Sequence, residues 1–247
     1  MDIKQYLDST YLKTAEQAGI SEQENEKIVA ACIQEAIDER FKLIMIRPQF
    51  VKLAKQMITE QKSEVLVGTV IGFHEGTTTI EEKLNEAEQS VQDGVDELDY
   101  VVNFQAFKDG IIDLVKNEVL LGTKFGLSHH RVVKWIIETA ALDGSQIIQL
   151  SSLIKNVVVA HFKETDYDKV FVKSSTGFYK TENGLPNGAT VPAVKAMLEN
   201  AFPLPVKASG GVKTQDDAIE MIKLGVKRIG TSSAKAIVEG KENKSDY

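Results

Sequence analysis

Cysteine is almost missing from this chain. It has one, Cys32, so no internal disulfide can form. The surrounding run IVAACIQEAI reads as the core face of a helix, which assigns that thiol a structural role. No apolar stretch approaches the roughly 18 residues that span a bilayer as a helix. The opening residues MDIKQYLDST lack the apolar run of a secretory signal. Both absences point to a cytoplasmic protein with no membrane partner. Basic residues are not in excess either. The net charge of −7 leaves no general basic face for nucleic acid or an acidic membrane. It does not exclude a small phosphorylated ligand, which a few backbone amides and one lysine can hold. There is no low-complexity segment, no Pro/Gly-rich linker, no P-loop, no CxxC and no Ser-His-Asp motif. His129 and His130 sit together in the polar connection GLSHHR without a second ligand cluster at metal spacing, so no metal is expected there. His161 reads as part of an apolar helix face.

What is present is a regular alternation. Eight short β-like runs occur in order: QYLDST, FKLIMI, EVLVGTVIGF, DELDYVVN, VVKWIIET, KVFVKSST, LPVKASGG and VKRIGTSS. Helical patterns separate them, among them EKIVAACIQEAIDE, IEEKLNEAEQSVQDG, QIIQLSSLIKNVVVAHF, TVPAVKAMLENA and TQDDAIEMIKLG. Thr77, Thr78 and Thr79 read as a helix N-cap region, and Gly94 and Gly225 take the place of helix C-caps. At about 30 residues per unit, eight βα units predict a single (β/α)₈ barrel within the α/β class. An open doubly wound sheet is the alternative, but no GxGxxG follows an early strand.

Barrel chemistry sits at the C-terminal ends of strands, and the polar residues collect there. Asp8, Ser9 and Thr10 end the first candidate. Asp99 lies in the fourth, Glu138 and Thr139 end the fifth, and Gly230, Thr231, Ser232 and Ser233 end the eighth. Lys173 and Lys207 occupy matching places in the sixth and seventh, each inside an apolar run and followed by small residues. Strand alternation puts Lys169, Phe171, Lys173 and Ser175 on one face, with Val170 and Val172 on the other. One such lysine could snorkel from the barrel mouth. Two side by side are costly unless one is neutral or an anion is bound. A neutral amine is a nucleophile toward carbonyls, so the pair points to Schiff-base chemistry. Asp99 shares a face with Glu97 and could shuttle protons or pair with a core lysine. Asp8 could equally begin a turn or cap a helix. Gly210 and Gly211, and the run Gly230 to Ser233, form short-side-chain loops after strands seven and eight. That is the usual barrel phosphate site, with Lys213 supplying charge.

The motifs YLDSTYLK, TVIGF, DELDYVVN, VKWIIET, FVKSSTGF, GATV, VKASGGVKT and RIGTSS, in this order over nearly the whole chain, resemble those of the deoxyribose-phosphate aldolases. The resemblance implies a barrel over residues 1–240 with a flexible polar tail at 241–247. It implies a class I aldolase without metal or cofactor. Such an enzyme cleaves 2-deoxy-D-ribose 5-phosphate reversibly to D-glyceraldehyde 3-phosphate and acetaldehyde, in deoxyribonucleoside catabolism. Its partner is a small phosphorylated aldehyde, and a homodimer is the expected assembly. By the same resemblance Lys173 is the Schiff-base lysine, Lys207 lowers its pKa, and Asp99 belongs to the proton relay. Asp8 and Thr10 lie near the second lysine and the substrate, and Phe73 joins the substrate-binding set. Gly177, Gly210, Gly211, Gly230, Ser232 and Ser233 match the phosphate loops. Lys134 and Glu138 match a charged pair on the fifth strand that organises the pocket. Tyr247 would reach the active site from the tail. The chain departs from the family at Ser9, at Met45-Ile46-Arg47-Pro48, at His74, and in longer stretches between Glu138 and Lys173 and around TENGLPNG. Another lysine-dependent aldolase, or a sugar-phosphate-binding barrel without an imine, stays open; the latter leaves the paired lysines unexplained.

Overall fold

The structure is a computed structural model that describes residues 2–182 and 185–241. The tail beyond Lys241, with Tyr247, lies outside the described residues. Eight parallel strands close into a barrel in sequence order: β1 (Leu7–Thr10), β2 (Leu43–Ile46), β3 (Leu66–Ile71), β4 (Glu97–Val101), β5 (Val132–Ile136), β6 (Val170–Lys173), β7 (Val206–Ser209) and β8 (Arg228–Thr231). Each of the eight expected runs contains one of them, and the open sheet is ruled out by the β1–β8 pairing. Outside lie α1 (Ala15–Ala18), α2 (Glu22–Glu39), α3 (Val51–Glu60), α4 (Ile80–Gln92), α5 (Phe104–Lys108), α6 (Ile112–Ser128), α7 (Gly144–His161), α8 (Val191–Ala201), α9 (Gln215–Leu224) and α10 (Ala234–Glu239). No described helix is long and apolar enough to cross a membrane.

Alternation decides what each strand residue meets. Leu98 and Tyr100, Val133 and Trp135, Val170 and Val172, and Val206 and Ala208 point outward. There they join helix residues such as Val29, Ile33, Val119, Leu150 and Met197 in one continuous core. Each fully buried aliphatic side chain contributes about 1.5–3 kcal/mol, and this outer layer is the main source of stability. The inward residues divide by side. Leu43, Met45 and Val70, with Leu12, fill the β2–β3 side with apolar atoms. Opposite them, Asp8, Glu97, Asp99, Lys134, Lys173, Lys207 and Arg228 are all buried. A barrel interior so charged is expensive, and nothing in the outer packing requires it.

The helices begin where their caps predict. Thr79, Asp143 and Thr214 each close a capping box at the start of α4, α7 and α9. Gly225 caps α9 in the left-handed region, while at α4 the cap is Asp93 and Gly94 follows it. GLSHHR is only partly a connection. Its first three residues belong to α6, and His129 caps that helix. The two glycines that disguise α6 are required by its closeness to the barrel: a Cβ on Gly126 would lie 2.2 Å from Val133 Cγ2, and one on Gly122 2.7 Å from the Trp135 ring. His161 is exposed at the end of α7 rather than on its apolar face, its ring Nδ1 2.9 Å from the Val157 carbonyl. Cys32 is partly buried against the outer core, and burial pushes its thiol up to about 11.

Candidate active site

The register places the two lysines as direct neighbours. Lys173 pairs with Lys207 across β6 and β7, and Asp99 pairs with Lys134 across β4 and β5. All four side chains point inward, and Asp99 becomes a hub. Its Oδ1 accepts from Lys134 Nζ at 2.7 Å, and its Oδ2 accepts from both Lys173 Nζ and Lys207 Nζ at 2.9 Å. Asp8 neither begins a turn nor caps a helix. It is fully buried in β1, with Oδ2 2.5 Å from Lys207 Nζ and Oδ1 accepting from Arg228 Nε at 2.7 Å. Arg228 then reaches across the barrel to Glu97, donating to Oε1 at 2.9 Å and Oε2 at 3.1 Å. Glu97 also pairs closely with Lys134, which closes the ring.

The balance of charge determines which group gives way. Four cations (Lys134, Lys173, Lys207, Arg228) face three carboxylates (Asp8, Glu97, Asp99), so full ionisation leaves one buried positive charge uncompensated. Lys134, Lys207 and Arg228 each touch two of these carboxylates, whereas Lys173 touches only Asp99. A guanidinium does not deprotonate. The least supported proton is therefore that of Lys173. Burial is the largest influence on Lys173. With Lys207 and Lys134 it outweighs Asp99 and brings the amine down to about 8. The Asp99 and Asp8 carboxyls are lowered as well, which keeps them ionised. Burial alone would raise Asp99, but Lys134, Lys173 and Lys207 hold it well below the usual carboxylate range. Burial is opposed likewise at Asp8, where Arg228, Lys207 and Lys134 keep the group low.

Just above the lysines, Glu138 leaves the strand with φ 56°. It does not pair with Lys134, as the sequence suggested. That lysine is fully buried between Asp99 and Glu97, and the backbone turn sends Glu138 toward the loop after β6. Its Oε1 accepts from Ser175 Oγ at 2.6 Å, and its Oε2 accepts from the Thr176 N–H at 3.1 Å and closely from Thr176 Oγ1. Those hydroxyls in turn accept the N–H groups of Gly177 and Phe178, at 3.1 and 3.0 Å. Burial nonetheless pushes the Glu138 carboxyl up. Glu138 also borders a cavity of about 800 Å³ at this end of the barrel, together with Lys13, His74, Phe104, Phe178 and Tyr179. A second cavity, of about 660 Å³, opens at the opposite end around Arg40 and Lys42, away from the lysines.

The other expected residues lie at the same mouth. The Thr10 hydroxyl donates to the Asp8 carbonyl at 2.8 Å. Phe73 packs edge-on against Phe178, ring centroids 5.1 Å apart, and the Arg47 guanidinium sits 4.7 Å from its centroid. Gly210 is required by close approach: at φ 81° a Cβ would fall 2.5 Å from the Asn187 carbonyl. Gly177 and Gly211 border open space, and Lys213 and Ser232 are exposed, whereas Ser233 is buried and its N–H donates to Thr231 Oγ1 at 3.0 Å. Gly230 is inside β8 rather than in the loop, where a Cβ would meet Lys207 Cε at 3.1 Å. Its lack of a side chain makes room for Lys207. The sequence reading missed Arg228 as a member of the site. The signal was available: a charged residue inside an apolar strand, in register with Lys207.

No protein-family model matches the chain. Among curated proteins, it is 40% identical over 244 residues to the deoxyribose-phosphate aldolase of Thermococcus gammatolerans, covering 98% of each chain. It is 36% identical over 248 residues to deoxyribose-phosphate aldolase 1 of Staphylococcus aureus, covering all of both. Among solved structures, the tetrameric deoxyribose phosphate aldolase of Aeropyrum pernix superposes with a TM-score of 0.76 at 28% identity, over 96% of this chain and 90% of that one. With identities of this size over the full barrel, the chain belongs to the deoxyribose-phosphate aldolase family.

Proposed function

We propose that this chain cleaves 2-deoxy-D-ribose 5-phosphate reversibly to D-glyceraldehyde 3-phosphate and acetaldehyde through an imine on Lys173. The observation that carries it is the buried lysine pair on one Asp99 oxygen, with Lys173 the amine least supported by carboxylates. An isolated lysine with a pKa of about 10.4 is almost fully charged at neutral pH and cannot attack. Lys173, near 8, keeps a useful neutral fraction.

In the proposed sequence, neutral Lys173 adds through Nζ to the C1 aldehyde of the open-chain sugar. Asp99 accepts the proton released from that nitrogen and passes it to the carbinolamine oxygen; a second proton, drawn from solvent, lets that oxygen depart as water and leaves the iminium. The iminium then withdraws the electron pair of the C2–C3 bond as the C3 hydroxyl loses its proton. This releases glyceraldehyde 3-phosphate and leaves a two-carbon enamine. Protonation at C2 and hydrolysis of the imine release acetaldehyde and restore the amine. Lys207, paired with Asp8 and Asp99, opposes protonation of Lys173. For the phosphate we propose Gly177, Gly210 and Gly211 with Lys213, Ser232 and Ser233, supported by the open space at Gly177 and Gly211 and the exposure of Lys213 and Ser232. Thr10 and Phe73 would border the sugar, and Lys134 would act from beneath by holding Asp99. The setting we propose is cytoplasmic and homodimeric, with the tetramer of the Aeropyrum pernix relative as the competing assembly.

Incubation with 2-deoxyribose 5-phosphate or acetaldehyde and borohydride, followed by intact mass and peptide mapping, tests the proposal. A two-carbon adduct on Lys173 is expected. A folded protein that binds phosphate but forms no adduct would instead be a barrel without imine chemistry.

A further inference from the structure

Arg228 touches neither the lysine pair's shared Asp99 oxygen nor the cavity, yet it occupies both remaining carboxylates of the ring. Its neighbours Asp8 and Glu97 would otherwise be free to support Lys207 and Lys134 alone. With Arg228 removed, three lysines would face three carboxylates, and every ammonium could be compensated. With Arg228 present there is one cation too many, and arginine cannot be the one to discharge. We infer that Arg228 is a positioning residue that acts through Asp8 and Glu97 as the permanent fourth cation, making Lys173 the amine that loses its proton. This rests on the proposed role of Lys173.

Among the described residues, the groups facing Lys173 are few. Asp99 comes from β4, Lys134 and Glu138 from β5 and its end, and Lys207 from β7. Glu138 is a fourth carboxyl, but it is held by Ser175 and Thr176 in the loop above the ring and burial pushes it up toward its neutral form, so it stays outside the ring's count. Asp8, Glu97 and Arg228 form the next layer, so the charge balance is set within the barrel. Side-chain exposure is no more than 7% for every member of the ring, so solvent screens these charges little.

The test is the titration of Lys173 in the intact protein. It is read by NMR of ¹³C-labelled lysine Cε, with the resonance assigned by its loss in Lys173→Met, and in parallel by the pH dependence of acetaldehyde trapping with borohydride. Arg228→Met should move the midpoint alkaline by about one pH unit or more, roughly a tenfold loss of neutral amine at pH 7. Glu97→Gln should move it acid, because four cations would then face two carboxylates. Arg228→Met combined with Glu97→Gln removes both ends of one ion pair, restores a surplus of one, and should return the midpoint toward the parent value. A folded Arg228→Met protein with the parent midpoint overturns the inference. Should that variant fail to fold, equal midpoints in Glu97→Gln and the double variant overturn it instead. The NMR midpoint does not require an imine, so an absent adduct with displaced midpoints would sink the aldolase proposal and leave the role of Arg228 standing.

Discussion

Lys207 has the same chemistry as Lys173 and sits beside it, yet the two differ in what surrounds the ammonium. Lys207 lies between Asp8 and Asp99, whereas Lys173 shares only Asp99. Two carboxylates hold a proton that one does not. The charge on Lys207 therefore raises the cost of charging Lys173. In Lys207→Leu that cost falls, and the pH profile of imine formation should move alkaline. The trapping rate at pH 7 should drop about tenfold for each pH unit by which the midpoint rises. Stopped-time borohydride trapping across pH 6 to 10 gives the profile, and a midpoint that stays near 8 would remove this role from Lys207.

At the scale of elements, the site depends on helices that hold the strands without entering the barrel. α6 lies so close to β5 that Gly126 has no room for a methyl group against Val133. Gly126→Ala should cost about 1–3 kcal/mol through overpacking, despite alanine's better helix propensity. Thermal unfolding should register this as a drop of about 2–4 °C per kcal/mol. Val133→Ala in the same chain should recover part of the loss by clearing the contact. An unchanged Tm in Gly126→Ala would mean that α6 is not held this close. A second tie is the buried Lys83 of α4, which donates to the Gly76 and Val101 carbonyls at 2.8 Å each and to Glu118 of α6 at 2.6 Å. It fastens the loop after β3, where Phe73 and His74 stand, and the end of β4 to two helices at once.

For the whole molecule, the charged interior is a cost carried for chemistry. Lys173 falls from about 10.4 in an unfolded chain to about 8 in the fold. Between those values the unfolded state binds more protons, so this group's contribution to stability rises with pH there; below about 8 its penalty is complete. Lys173→Met should therefore be more stable than the parent at pH 7, by about 1–3 kcal/mol, and inactive. Urea unfolding at pH 7 and pH 9.5 tests this: the gap between the two proteins should narrow at the higher pH. A parent that equals or exceeds the variant at pH 7 would contradict a depressed Lys173.

The eight strands, the α/β alternation and the adjacency of Lys173 and Lys207 were legible in the sequence. They depend on periodicity and on equivalent positions in consecutive strands, which are local properties. Asp99 was legible for the same reason, as a carboxylate inside an apolar strand. The helical character of residues 112–128 was hidden, because Gly122 and Gly126 answer to the packing of α6 on the barrel and not to helix propensity. The turn that carries Glu138 away from Lys134 was hidden too, since spacing along a strand assumes that the strand continues. Only closure of the barrel brought Arg228 to Asp8 and Glu97, residues separated from it by 220 and 131 positions in the chain. Which amine is nucleophilic depends on that closure. Local alternation along each strand is enough to say where charges enter the barrel. Which of those charges lacks a partner follows from contacts between distant strands, and these exist only once the barrel has closed.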